Sequence, residues 1–182
     1  MRWIALTLAF FVAACGGGLT EEERIARCLQ LLRDYDRELI TSRNDSALAT
    51  RVIGTQVAAF DRTDIIVSGL RQYSCAVRLS DLPDLGETAA RMQAFNGRGA
   101  GQLSVPEYLH AGLTVDGPTR VALADYFRGL GYDTRETGAP GVGRRFWVGP
   151  LTTIEARRGA EALAQAAQLR TAYTVTRLPY PR

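Results

Sequence analysis

The chain has 182 residues, 46% apolar and 23% charged, with a formal net charge of +3, a balance that belongs to folded globular proteins and excludes wholesale disorder. About 165 residues remain once an N-terminal signal is set aside, enough for one ordinary domain or two small ones, and two is the expectation. Residues 15–110 carry 11 arginines against 13 acidic residues and residues 111–182 carry 10 against 6, so the C-terminal part is mildly basic, which suits an acidic polymer or surface without demanding one.

The first segment is Met1-Arg2-Trp3, an apolar run from Ile4 to Val12, and then Val12-Ala13-Ala14-Cys15-Gly16. One positive charge, an apolar run too short to span a bilayer and small residues before a cleavage point read as a secretory signal over residues 1–14, the alternative being an uncleaved apolar N-terminus. Val-Ala-Ala-Cys resembles the lipobox of bacterial lipoproteins, and that resemblance implies lipid attachment at Cys15. The absence of Asp after it implies the periplasmic face of the outer membrane in double-membraned bacteria.

Residues 15–20 form the anchor and spacer, and Thr20-Glu21-Glu22-Glu23 reads as a capping box opening a helix. Ile25, Cys28, Leu29, Leu32 and Leu39 give it one apolar stripe, and it is expected to end near Thr41 to Asn44. Arg51 to Phe60 and Asp64 to Ser68 read as strands, and Gln72 to Leu79 alternates, with Tyr73, Cys75, Val77 and Leu79 on one face. That face should pack on the first helix and bring Cys28 and Cys75 together. In an oxidising compartment, with no C-x-x-C spacing, the two read as a disulfide, with a pair of buried free thiols as the alternative.

Pro83 breaks the pattern, Gly86 to Phe95 suits a short helix, and Asn96 to Gly101 is a flexible stretch closing an N-terminal α+β unit over residues 21–100. Residues 101–111 are read as a linker, with Pro106 against a regular strand. From residue 112 the order is strand, helix, strand, strand, helix, strand. Leu113 to Val115 is the first short strand; Asp116-Gly117-Pro118 opens a helix that Gly131 closes as a left-handed cap residue. Tyr132 to Thr137 and Arg144 to Val148 are strands around a glycine-rich hairpin connection, and Gly149-Pro150 turns the chain. Thr152-Thr153-Ile154-Glu155 caps an Ala-rich helix, Ala172 to Thr176 is the last strand, and residues 178–182 are a frayed tail.

Leu130-Gly131-Tyr132 after a helix, then Arg145-Phe146-Trp147-Val148-Gly149-Pro150-Leu151, then a helix with Glu155-Ala156 and Glu161-Ala162-Leu163, resembles the SPOR domain over residues 112–177. The resemblance implies an α+β fold with a C-terminal βαββαβ ferredoxin-like, RNP-like module, and a sheet that binds peptidoglycan glycan strands. The family's first strand is aromatic and Gln-containing, and here only Leu113-Thr114-Val115 stands in its place. Thr55 to Phe60 looks more like that strand and is read as a decoy.

Strand alternation sets Phe146 and Val148 toward the helices and Arg145 and Trp147 toward the open side of the sheet. A Trp beside an Arg is suited to sugars, since the indole packs on C–H groups while the guanidinium bonds hydroxyls or carboxylates. Trp147 and Arg145, with Arg135 on the neighbouring strand, are therefore the expected glycan-binding residues, the alternative being that Trp147 is covered by the N-terminal unit or the C-terminal tail. All basic side chains are Arg, which a genomic composition bias explains as simply as anion recognition does. The glycines from Gly138 to Gly143 lack a phosphate-loop pattern, and His110, the lone histidine, reads as a loop or surface residue. No metal, cofactor or catalytic signature is present, so the expectation is a binding protein and not an enzyme. The partners expected are peptidoglycan, a membrane reached through the lipid, and an envelope protein for the N-terminal unit; nucleic acid is not among them. The rival readings are an adaptor whose sheet binds a protein, and an enzyme accessory to wall remodelling.

Overall fold

The computed structural model describes residues 18–48, 54–92, 101–139 and 141–179, with backbone alone for 40–48 and 54–61. The signal, Cys15 and most of the 96–101 stretch lie outside these residues. The fold is α+β, with five helices and a mixed sheet among the described residues. Among the described residues no helix is long and apolar enough to cross a membrane.

Helix α1 (Glu21–Leu48) starts at the expected box: the Thr20 amide donates to Glu23 Oε2 at 2.8 Å and the Glu23 amide to Thr20 Oγ1 at 3.2 Å. This satisfies amides that the first turn leaves without helical partners. It is followed by α2 (Gly54–Gln72), where two strands were expected. The β-branched run Ile65-Ile66-Val67 suggests extended chain, but Ile66, Val67 and Leu70 are buried while Ile65 is exposed. That spacing follows a helical turn, and packing on α1 overrides local propensity.

The chain then makes a two-residue strand β1 (Ala76–Val77), a 3-10 turn over Leu79–Asp81 and helix α3 (Leu85–Met92). The long alternating strand expected over Gln72 to Leu79 is reduced to β1. Strand β2 (Gln102–Thr114) is much longer than expected and takes in the segment read as a linker. Pro106 is tolerated there because pairing with the strand over Gly143–Thr153 is irregular between Gln102 and Glu107, the kind of position where a missing amide costs no ladder bond.

Helix α4 (Gly117–Gly129) is capped by Asp116, whose carboxylate accepts from the Thr119 amide at 2.7 Å. Gly131, with φ +87°, supplies the left-handed residue beyond its end. Strands β3 (Thr134–Ala139) and β4 (Gly143–Thr153), helix α5 (Ile154–Ala166) and strand β5 (Tyr173–Val175) complete the chain. Gly149-Pro150 does not turn the chain; β4 runs through it. Gly149 has φ +126°, and a Cβ there would sit 2.9 Å from the Glu107 carbonyl, so glycine lets the two strands stay close at an irregular register.

In the sheet β2 is central. Its one edge pairs antiparallel with β4, which pairs antiparallel with β3; its other edge carries β1 in parallel at Leu113 and Thr114 and β5 antiparallel at Tyr108 to His110. One face packs on α4 and α5 through Leu123, Phe127, Phe146, Val148 and Leu163. The opposite face is covered by the α1–α2 hairpin, where Leu32, Leu70 and Cys75 meet Leu113, Val142 and Tyr173. Residues 21–92 thus contribute a strand to the sheet and a layer over it.

Candidate functional site: a covered row across the sheet

Register places four side chains in a row over three strand pairings: Tyr173 on β5 opposite His110 on β2, His110 opposite Trp147 on β4, and Trp147 opposite Arg135 on β3. Cross-strand partners on one face lie within side-chain reach. The His110 ring is 4.9 Å, centroid to centroid, from both Trp147 and Tyr173. The Arg145 guanidinium lies 4.6 Å from the Trp147 ring centroid, a cation–π distance.

The alternation that sets Phe146 and Val148 on the α4–α5 side does put Arg145 and Trp147 on the other face, but that face is not open. Both residues are buried. The expectation that they form an accessible surface is corrected: Asp36 and Tyr35 of α1 lie against Arg145, and Trp147 packs on Arg145, His110 and Thr137. Arg135 alone of the three expected residues is exposed, its guanidinium 5.7 Å from the Tyr108 ring. The structure brings Trp147 and Arg145 into contact and leaves Arg135 at the end of the row.

Asp36 on α1 closes the site from above. Arg145 Nη1 donates to Asp36 Oδ1, Arg145 Nη2 to the Tyr173 hydroxyl at 2.5 Å, and the Tyr173 hydroxyl to Asp36 Oδ2 at 2.6 Å. A carboxylate, a guanidinium and a phenol thereby pair with one another, the condition under which a buried charge is tolerated, although Arg145 Nε is buried without a partner. Burial lowers the Arg145 pKa against the raising influence of Tyr173 and Tyr35, and burial raises that of Tyr173. Trp147 Nε1 donates to Thr137 Oγ1 at 2.9 Å.

No family model, curated protein or solved structure matches this chain. Its chemistry therefore rests on its own residues.

His110 corrects a second expectation. It is 0% exposed in the middle of β2, not in a loop. Neither ring nitrogen makes a hydrogen bond of normal geometry, and burial lowers its pKa to about 3, only partly offset by the Thr171 backbone. The imidazole is held neutral between two aromatic rings. Among the described residues no three His, Cys, Asp or Glu side chains converge as metal ligands. The sequence reading missed Asp36 and Tyr173. Asp36 lies one residue beyond Tyr35 on the buried side of α1, and a carboxylate beside an apolar stripe was the available signal.

Proposed function

We propose that this chain is a lipid-anchored envelope protein built on a SPOR-like βαββαβ module, working as an adaptor that contacts a protein and not as a glycan binder through its sheet. The strand order β5-β2-β4-β3 with α4 and α5 on one face supports the ferredoxin-like part of this reading. The observation that carries the adaptor reading is the complete burial of Trp147 and Arg145, with Asp36 of α1 bonded to Arg145. Cys28 on α1 is bonded to Cys75, one residue before β1, and β1 pairs with β2, so hairpin and sheet are tied covalently and by backbone ladder. Lifting the cover would also strip Asp36 from Arg145.

Anchoring is proposed through Cys15 at the periplasmic face of the outer membrane. The mass of the mature N-terminus tests it: a diacylglycerol-bearing Cys15, lost in Cys15→Ser, is the expected result.

A second reading is favoured by the aromatic and basic character of the row from Tyr173 to Arg135. In it, peptidoglycan is bound by Trp147, Arg145 and Arg135 once the hairpin lifts. Co-sedimentation of the full chain, in neutral detergent, with intact and amidase-treated sacculi separates the two. The adaptor reading expects no saturable pelleting with either preparation; saturable pelleting that increases after amidase treatment returns the glycan reading.

A further inference from the structure

Two clefts share a wall beside the C-terminal end of α5. One is lined by Arg24, Arg78 and Arg170 over Cys75, the other by Arg33 and Gln165, and both include Gln168 and Arg170. They form one groove between α1 and the segment joining α5 to β5.

Arg24 is already engaged: it donates to the Glu21 carboxylate and to the carbonyls of Tyr73 and Ser74. The second carboxylate in the groove, Asp81, accepts from the Arg78 amide and the Ser80 hydroxyl. Among the described residues no ion pair engages the guanidinium groups of Arg33, Arg78 or Arg170. Arg33, Arg78 and Arg170 thus face the groove, where Glu21 and Asp81 are engaged by neighbours and Glu161 stands on the α5 wall of the second cleft.

The groove also holds both non-glycine residues of positive φ found among the described residues, Ser74 at φ 50° and Gln168 at φ 57°. Gln168 is the residue just past the end of α5, where glycine costs least. A polar amide kept at a strained position is suited to contacting a ligand backbone.

We propose that this groove binds an extended acidic peptide segment of a partner protein, Arg78 and Arg170 taking its carboxylates and Gln168 its backbone. The guanidinium fork matches a carboxylate through two parallel hydrogen bonds. This rests on the adaptor reading and names the chemistry of its partner.

The test is fluorescence anisotropy of a labelled oligoglutamate peptide with the full chain in neutral detergent micelles. Saturable binding is expected, weakened roughly tenfold or more by Arg78→Ala with Arg170→Ala, a loss of about 1.4 kcal/mol, and unchanged by Arg128→Ala on α4. Gln168→Gly should raise the melting temperature while weakening binding, since it removes the strain and the amide together. Equal binding by the double variant, equal binding of oligolysine, or capture of phosphatidylglycerol vesicles without oligoglutamate overturns the proposal. Sacculus pelleting is read separately: pelleting together with Arg78- and Arg170-dependent peptide binding overturns the adaptor reading and leaves the groove.

Discussion

Asp36 and Arg145, 109 residues apart in sequence, form a buried ion pair that joins the first helix to the middle of the sheet. The Arg145 side chain is 1% exposed and that of Asp36 is 11%. At that depth the pair is a poor source of net stability, because desolvating two charges offsets most of their attraction, yet removing one partner is severe. The pair therefore specifies where α1 sits more than it strengthens the fold.

Asp36→Ala should cost about 3–5 kcal/mol, since it leaves a guanidinium buried against Tyr173 and Trp147 with no counter-charge. Replacing both partners with apolar residues, Asp36→Leu with Arg145→Met, should recover most of the loss. Denaturant melts of the singles and the double measure this. A single variant that loses under about 1 kcal/mol, the scale of an exposed pair, would place the ion pair at the surface.

Trp147→Ala and Phe146→Ala should destabilise to a similar extent, each by about 3–5 kcal/mol, because both faces of β4 are packed. An open sheet face predicts something different: Phe146→Ala alone would be damaging, and Trp147→Ala would shift the midpoint little. Midpoints for the pair of variants under one set of conditions distinguish the two arrangements.

The alternation of β4 was legible in Arg145-Phe146-Trp147-Val148, because a strand's side-chain period does not depend on what lies above it. What lies above it was not legible. The covering layer needs α2, and Ile65-Ile66-Val67 reads as strand until Ile66, Val67 and Leu70 are seen to share one helical face against α1. With α2 read as strands, the hairpin vanishes and Trp147 looks open. The caps at Thr20 and Asp116 were readable because their partners are three residues away. The length of β2 was not, because what tolerates Pro106 is an irregularity in pairing with β4, a non-local fact. Cys28 and Cys75 fell between these extremes: the stripe on α1 pointed to the contact even though most of the expected strand around Cys75 is turn and helix end.

The Cys28–Cys75 bond, with Cα atoms 5.4 Å apart and a sequence separation of 47, should contribute about 4 kcal/mol in the chain-entropy account of loop closure. Cys28→Ser and Cys75→Ser should lower the melting temperature alike, and the double variant little further, because one bond is lost in every case. The same single variants under reducing conditions should then match the reduced wild type. A double variant whose loss equals the sum of the singles would mean the two sulfurs act independently.

His110 gives the stability a pH dependence of known sign. Its pKa falls from an ordinary 6.5 to about 3 in the fold because the neutral ring is buried without strong acceptors. Between those values the unfolded chain binds a proton that the folded one does not, so stability declines as pH drops from about 6.5 toward 3 and is flat above. The slope in that window is about 1.4 kcal/mol per pH unit. Glu21, Glu23 and Asp116, whose pKa values are lowered by hydrogen bonds from Arg24, Thr20 and Thr119, lose their contributions only at and below the carboxylate range. The interval from pH 6.5 to about 5 therefore reports on His110. His110→Phe places an apolar ring between Trp147 and Tyr173, and should flatten that interval without lowering stability at pH 7, since no strong hydrogen bond is lost. Denaturation midpoints of both proteins across the interval test this: an unchanged slope in His110→Phe would assign the titration to another group.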